Sequence, residues 1–225
     1  MRTPLLLLLI PMLGACAKED SSDLPDNTPI YQDLKVVFDK PENKTRAFAT
    51  FRKNNSTGTR LQLTGGSSIT FNGNSWSSYT ELDHYFYRWN TNGMEDVQFR
   101  FAKANSNVYV NTIARTDTND INVPATLVID RANGAQVHWV GSALVTGETV
   151  TAWLVQGGNT TSKVNVTVAG AQSIQLPPSL FSSLSAGTAD LYFSRTRAVG
   201  LQQSDGNAGG KRVVEVEARG TVALN

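Results

Sequence analysis

Apolar and polar residues alternate along most of the chain after residue 30, which is the pattern of β-strands with one buried face. The alternation is clearest at Val97, Phe99 and Phe101, which Gln98 and Arg100 separate. Similar short runs lie at 47–52, 61–63, 69–71, 85–87, 108–111, 127–129, 150–154, 164–168, 174–176, 191–193 and 214–218. Helical spacing is limited to one turn within residues 177–184, so the pattern predicts an all-β protein.

Turn signals interrupt the alternating runs roughly every ten residues, which is typical of antiparallel sandwiches. Residues 115–124 are mostly polar, end in Pro124 and break the alternation. We therefore predict two β-sandwich domains of immunoglobulin-like size, residues 31–116 and 125–225, joined by a linker at residues 117–124. A faint likeness between residues 64–71 and 169–176 agrees with two related domains.

The first residues have the composition of a secretory signal peptide. Arg2 precedes an apolar run from Leu5 to Leu13, which is too short to cross a bilayer as a helix. The run ends in Leu13-Gly14-Ala15-Cys16, and Cys16 is the chain's one cysteine. This sequence resembles the lipobox of bacterial lipoproteins. The resemblance implies that residues 1–15 are removed and that Cys16 carries acyl chains anchoring the protein in a membrane.

Residues 16–30 are polar and contain two prolines, so we predict a disordered, lipidated tether before the fold. Glu19, Asp20 and Asp23 resemble the acidic surface-export signals of Bacteroidetes lipoproteins, although a solvated linker has the same composition. The predicted location is the outer membrane or cell surface. The folded part resembles tandem immunoglobulin-like envelope lipoproteins, but it lacks the Cys…Trp…Cys frame of antibody domains, so that resemblance implies architecture alone.

The charge balance excludes one class of partner. The chain has 20 Lys and Arg residues against 19 Asp and Glu residues, and removing residues 1–15 removes the single cation Arg2. A balanced charge gives no electrostatic reason to expect nucleic acid as a partner. Lipidation of Cys16 also leaves no thiol for a disulfide within the chain.

No catalytic motif is visible in the sequence. The nucleophile elbow, the Walker A loop and the H-E-x-x-H motif are absent, and the two histidines, His84 and His138, lie in different halves. Two distant carboxylates could still serve a hydrolase, a possibility that a single sequence leaves open. We predict no enzymatic activity, no cofactor and no metal site.

Aromatic residues concentrate near one strand, where Tyr85, Tyr87 and Trp89 alternate with Phe86 and Arg88. Alternation places the first three side chains on one face. Either that face belongs to the core, or it is an exposed platform that suits sugar rings or a protein partner. Tyr85, Tyr87 and Trp89 are therefore candidate ligand-binding residues.

The linker contains a possible calcium-binding sequence. Asp117-Thr118-Asn119-Asp120-Ile121-Asn122 resembles the D-x-N-D-N segment between cadherin repeats, with Ile121 replacing an asparagine. Asp117, Asn119 and Asp120 could supply part of the six to eight oxygens that calcium needs. Polar linkers of this composition are also ordinary turns.

Three functional hypotheses follow from these patterns. The preferred one is a lipid-anchored envelope or cell-surface protein with a non-enzymatic binding or structural role, presenting loops or a sheet face to a protein or glycan. The first alternative is a glycan-binding accessory lipoprotein that uses an exposed aromatic face. The second alternative is a hydrolase with unrecognised carboxylates.

Overall fold

The computed structural model describes residues 18–81 and 84–225, with Lys18, 78–81 and 84–86 described by their backbone. Seventeen strands and four short 3-10 turns make up this part of the chain, and the all-β prediction is confirmed. The strands are β1 (Lys18–Asp20), β2 (Ile30–Asp39), β3 (Lys44–Lys53), β4 (Arg60–Gln62), β5 (Ser68–Phe71), β6 (Ser77–Glu81), β7 (His84–Asn92), β8 (Val97–Ala102), β9 (Val108–Ile113), β10 (Val128–Ile129), β11 (Ala135–His138), β12 (Glu148–Gln156), β13 (Asn159–Thr160), β14 (Val164–Val166), β15 (Ser173–Leu176), β16 (Gly187–Val199) and β17 (Gly210–Leu224). The 3-10 turns are Ser21–Asp23, Arg115–Asp117, Pro178–Phe181 and Gly206–Ala208.

One large sheet forms the centre of the molecule. Its strand order is β1-β4-β3-β2-β17-β16-β12-β13, with β7 beside β3, β6 beside β7, β14 beside β12 and β10 beside β17. Two smaller sheets, β5-β8-β9 and β11-β15, come from the first and second halves of the chain respectively. Each half therefore contributes strands both to the large sheet and to a small sheet of its own.

The core is one cluster of buried side chains shared by all three sheets. Alternation supplies most of it: in β2, Leu34, Val36 and Phe38 are fully buried. Across the layers, the Phe51 ring of β3 lies 4.5 Å from the Phe101 ring of β8. Burying such an aromatic side chain contributes about 1.5–3 kcal/mol, so the alternation of apolar residues dominates the stability of the fold.

Two strands from opposite halves join the molecule into a continuous sheet. β17 pairs with β2 in parallel, from Gly210 opposite Gln32 to Glu217 opposite Asp39. The sequence predicted antiparallel sandwiches, and most neighbours in the large sheet do pair that way. β2 and β17 are not joined by a hairpin, so no tight turn forces them to run in opposite directions.

The segment predicted to be a disordered tether packs on the fold from Lys18 onward, which corrects that part of the prediction. β1 pairs in parallel with β4, with Glu19 opposite Leu61. Buried Ser21 exchanges two hydrogen bonds with the Thr64 backbone, of 3.0 Å and 2.8 Å. A polar edge strand is held by its backbone hydrogen bonds, which require no apolar side chains. Its composition therefore resembles that of a solvated linker.

Candidate functional site

One face of the large sheet is turned away from the core and is here called the open face. The residues that alternate with the buried ones project from it, and most remain in contact with solvent. One row of in-register neighbours across the sheet is Arg46, Val37, Glu215, Thr196 and Thr149. The face is therefore broad and rich in charged and hydroxyl side chains.

A second row on the open face combines aromatic rings with cations. Trp153, Tyr192 and Arg219 lie opposite one another on β12, β16 and β17. The two rings stack with centroids 5.1 Å apart and planes inclined by 9°. Lys163 Nζ lies 4.5 Å from the centre of the Trp153 ring, and the Arg219 guanidinium carbon lies 5.9 Å from that of Tyr192. We call these four residues the cation–aromatic row.

Three carboxylates lie near the middle of the open face. Asp39 pairs with Arg46, while Glu215 pairs with Lys35 at 2.5 Å. Glu217 lies opposite Asp39, and its pKa is raised by burial and by the negative charge of Glu215. Asp39 and Glu215 are thus held in ion pairs, and Glu217 is the carboxyl group of the three whose pKa is raised.

An open depression of about 670 Å³ lies at the β3–β7 end of the open face. Its lining is polar and predominantly basic, and it consists of Glu42, Lys44, Arg46, Arg88 and residues 90–92. Lys44 and Arg46 are both within salt-bridge distance of Glu42. Glu42 therefore already neutralises part of the positive charge in the depression.

The candidate aromatic residues that the structure describes belong to the core side of the sheet. Tyr87 and Trp89 lie opposite Ala49 and Ala47, whose side chains are fully buried. Tyr87 is 2% exposed, and its hydroxyl accepts a 2.6 Å hydrogen bond from the Leu63 backbone. Trp89 is half-buried and packs against the core cluster. The platform interpretation is therefore corrected for Tyr87 and Trp89, and the side chain of Tyr85 lies outside the described residues.

The predicted linker is packed on both halves of the molecule. The Asp120 carboxylate accepts hydrogen bonds from Lys40 at 2.9 Å and Arg115 at 2.6 Å. Burial acts to raise the pKa of Asp120, but the Lys40 and Arg115 cations outweigh it and lower that pKa. Asp117 accepts the Ala114 N–H. In the described part of the chain, no group of three or more His, Cys, Asp or Glu residues is arranged to hold a metal ion.

A buried ion pair fixes this segment, and the sequence analysis missed it. Glu148 and Arg195 form a salt bridge in which both side chains are 0% exposed. Glu148 also accepts hydrogen bonds from the Thr118 hydroxyl at 2.9 Å and the Val145 N–H at 3.0 Å, while Arg195 donates to the Ser142 carbonyl at 2.8 Å. Burial alone would raise the pKa of Glu148, yet the hydrogen bonds, led by that from Arg195, lower it to about 2.

A second buried network holds the start of the fold. Asp205 accepts hydrogen bonds from Lys103 Nζ at 2.8 Å, the Ile30 N–H at 2.9 Å and the Tyr109 hydroxyl at 2.7 Å. Lys103 also donates to the Thr28 carbonyl. Burial, followed by the bond to Asp205, raises the pKa of Tyr109 to about 12. The network joins β2, β9 and the loop before β17.

Comparison with known proteins identifies no family for this chain. No family model matches the chain, and no curated protein sequence matches it significantly. Within the described residues, no helix has both the length and the apolar character needed to span a bilayer. Among solved structures, the chain is similar to the tetra-tandem repeat in the extending region of a large adhesion protein. That match has 16% identity and a TM-score of 0.29, and covers 86% of this chain and 50% of the other. The chain thus matches half the length of that structure.

Proposed function

We propose that this protein is a lipid-anchored envelope or cell-surface protein with a non-enzymatic binding role, and that the open face is its binding surface. The observation that carries the proposal is the open face itself. The core of the protein lies on one side of the large sheet, while hydroxyl, charged and aromatic side chains remain in solvent on the other. Binding surfaces presented by a rigid sheet require little ordering when a partner docks.

The anchor in this proposal is Cys16, which lies outside the described residues. Its support is the Leu13-Gly14-Ala15-Cys16 sequence after a short apolar run. Two or more acyl chains are sufficient for stable attachment to a bilayer. Mass spectrometry of the N-terminal peptide tests this assignment, because an acylated Cys16 is expected at the N-terminus. An unmodified Cys16 or a retained Met1 would refute it.

The binding role is testable by chemical footprinting in the native envelope. Thr221→Cys places a thiol at an exposed position of the open face, and Arg100→Cys places one on β8 of a small sheet. We expect a membrane-impermeant maleimide to label Thr221→Cys several-fold more slowly in envelopes than in purified protein. The Arg100→Cys rate should be equal in both. Equal labelling of Thr221→Cys in the two preparations would remove the open face from the proposal.

The carboxylates of the open face have no catalytic role in this proposal. Asp39 and Glu215 already form ion pairs with Arg46 and Lys35, which compete with substrate contacts. A screen of glycoside and ester substrates with the purified protein is expected to show no turnover. Turnover that Glu217→Gln abolishes would instead support the hydrolase hypothesis.

A further inference from the structure

We propose that the cation–aromatic row binds an acidic polysaccharide, with Lys163 and Arg219 holding negative groups on either side of the stacked Trp153 and Tyr192 rings. This inference rests on the proposed function, because it names the ligand class for the open face. It differs from the platform predicted at Tyr85, Tyr87 and Trp89, which lies elsewhere in the sheet.

Trp153, Tyr192 and Arg219 are held in place before any ligand arrives. Trp153 and Tyr192 are on neighbouring strands, and their near-parallel stacking restricts both rings. Arg219 also donates a 3.5 Å hydrogen bond to the Tyr192 hydroxyl. Side chains that are already ordered lose little conformational entropy on binding, so weak individual contacts can contribute to affinity.

Lys163 and Arg219 are the exposed cations of the row, and both are available to a ligand. Within the described residues, neither of them lies within 4.0 Å of a carboxylate oxygen. Four other cations of the open face do form salt bridges, namely Lys35, Lys44, Arg46 and Lys211. At an exposed site a cation–π contact contributes only about 0.5–1 kcal/mol, so Lys163 can turn from the Trp153 ring toward an incoming anion.

The spacing of charges on the face favours a ligand with separated negative groups. Neighbouring strands are about 4.8 Å apart, so Lys163 and Arg219 stand roughly 15 Å apart across three such steps. Asp190 and Glu217 lie beside the row on the same face. A ligand with continuous negative charge would be repelled there, whereas a polysaccharide can place neutral hydroxyl groups over Asp190 and Glu217.

The neighbouring side chains suit a hydrated ligand better than a protein. Thr221 and Asn165 are exposed beside the row, and Thr151 is half-buried next to Trp153 on the same strand face. These groups offer hydrogen-bond donors and acceptors to sugar hydroxyls. A stable protein interface would instead have a largely apolar centre. The chemistry of the row therefore favours the polysaccharide.

The test measures binding of the mature lipidated protein, in detergent micelles, to hyaluronate, in which a neutral sugar separates successive carboxylates, and to its fully methyl-esterified form. Calorimetric titration is expected to show binding to the acid form at least ten-fold tighter than to the ester. Lys163→Gln combined with Arg219→Gln should weaken binding to the acid form at least ten-fold. Arg100→Gln, which removes an exposed cation from β8, should change it less than two-fold.

Several outcomes would overturn the inference. They are equal affinity for the acid and ester forms, no binding to either, and equal losses for Arg100→Gln and the double variant. Lys163→Arg with Arg219→Lys keeps both charges and should retain most affinity, so a full loss there would also contradict it. If Thr221→Cys is protected in envelopes but the protein binds no polysaccharide, the cation–aromatic row is not a polysaccharide site, while the proposed function stands. Failure of that protection counts against the proposed function itself.

Discussion

Replacing Glu148 by glutamine is expected to cause a large, pH-dependent loss of stability. The substitution removes the negative charge that pairs with Arg195 and leaves the guanidinium buried at 0% exposure. The pKa of Glu148 is lowered from 4.5 to about 2, and each unit corresponds to 1.36 kcal/mol. The ionised carboxylate therefore contributes about 3 kcal/mol at neutral pH. Breaking one partner of a buried ion pair typically costs about 3–5 kcal/mol, which is the same range.

The sign of the pH dependence follows from the direction of the shift. Because the folded-state pKa of Glu148 is lowered, its contribution is complete above pH 4.5 and is lost as the pH falls toward 2. Urea unfolding, followed by the fluorescence of the four tryptophans, measures wild type and Glu148→Gln at pH 7 and pH 3. The difference in unfolding free energy should be about 3–5 kcal/mol at pH 7 and about 2 kcal/mol smaller at pH 3.

A matched substitution controls for the loss of a carboxylate in general. Glu42 pairs with Lys44 at the surface, where both side chains are about half exposed. Glu42→Gln should change the unfolding free energy by less than about 1 kcal/mol, as is usual for exposed pairs. A loss below 1 kcal/mol for Glu148→Gln, or a loss that is equal at pH 7 and pH 3, would refute the reasoning.

Three further predictions concern other parts of the fold. Asp205→Asn should lower the melting temperature by several degrees. It should also return the pKa of Tyr109, measured by spectrophotometric titration, from about 12 toward 10. An unchanged titration curve would contradict the network. In wild type, the Tyr109 contribution is complete below pH 10 and lost as the pH rises toward 12. Gly134→Ala places a Cβ 2.4 Å from a backbone oxygen and should destabilise more in denaturant titration than Gly73→Ala, whose Cβ meets open space. A chain without residues 210–225 should show no cooperative thermal transition by circular dichroism, because β2 and β16 lose their shared partner.

The strand content was predictable from alternation, because an exposed and a buried face impose a period of two on the sequence. The face of each strand that meets the core was harder to predict. Alternation groups Tyr87 with Trp89, but it does not say whether that face meets the core. The half-polar alternate face, with Arg88 next to Phe86, was the available clue, and it favoured the core interpretation that the structure shows for Tyr87.

The core-facing positions of two charged residues could have predicted the buried ion pair. Glu148 shares its strand face with Val150 and Ala152, and Arg195 shares one with Phe193, all of them buried. A charged residue at a core-facing position requires a partner, so two such residues in one sheet could have been paired. The pairing of β2 with β17 left no comparable signal, because long-range register depends on contacts between distant segments.

The position of β17 also sets when the protein can become native. This strand follows all of its neighbours in the chain, yet it is inserted between β2 and β16. A nascent chain that emerges from its N-terminus therefore keeps the two flanks of the large sheet apart until β17 has emerged. The large sheet therefore closes late, and a chain arrested before β17 would present two unpaired strand edges to proteases and chaperones.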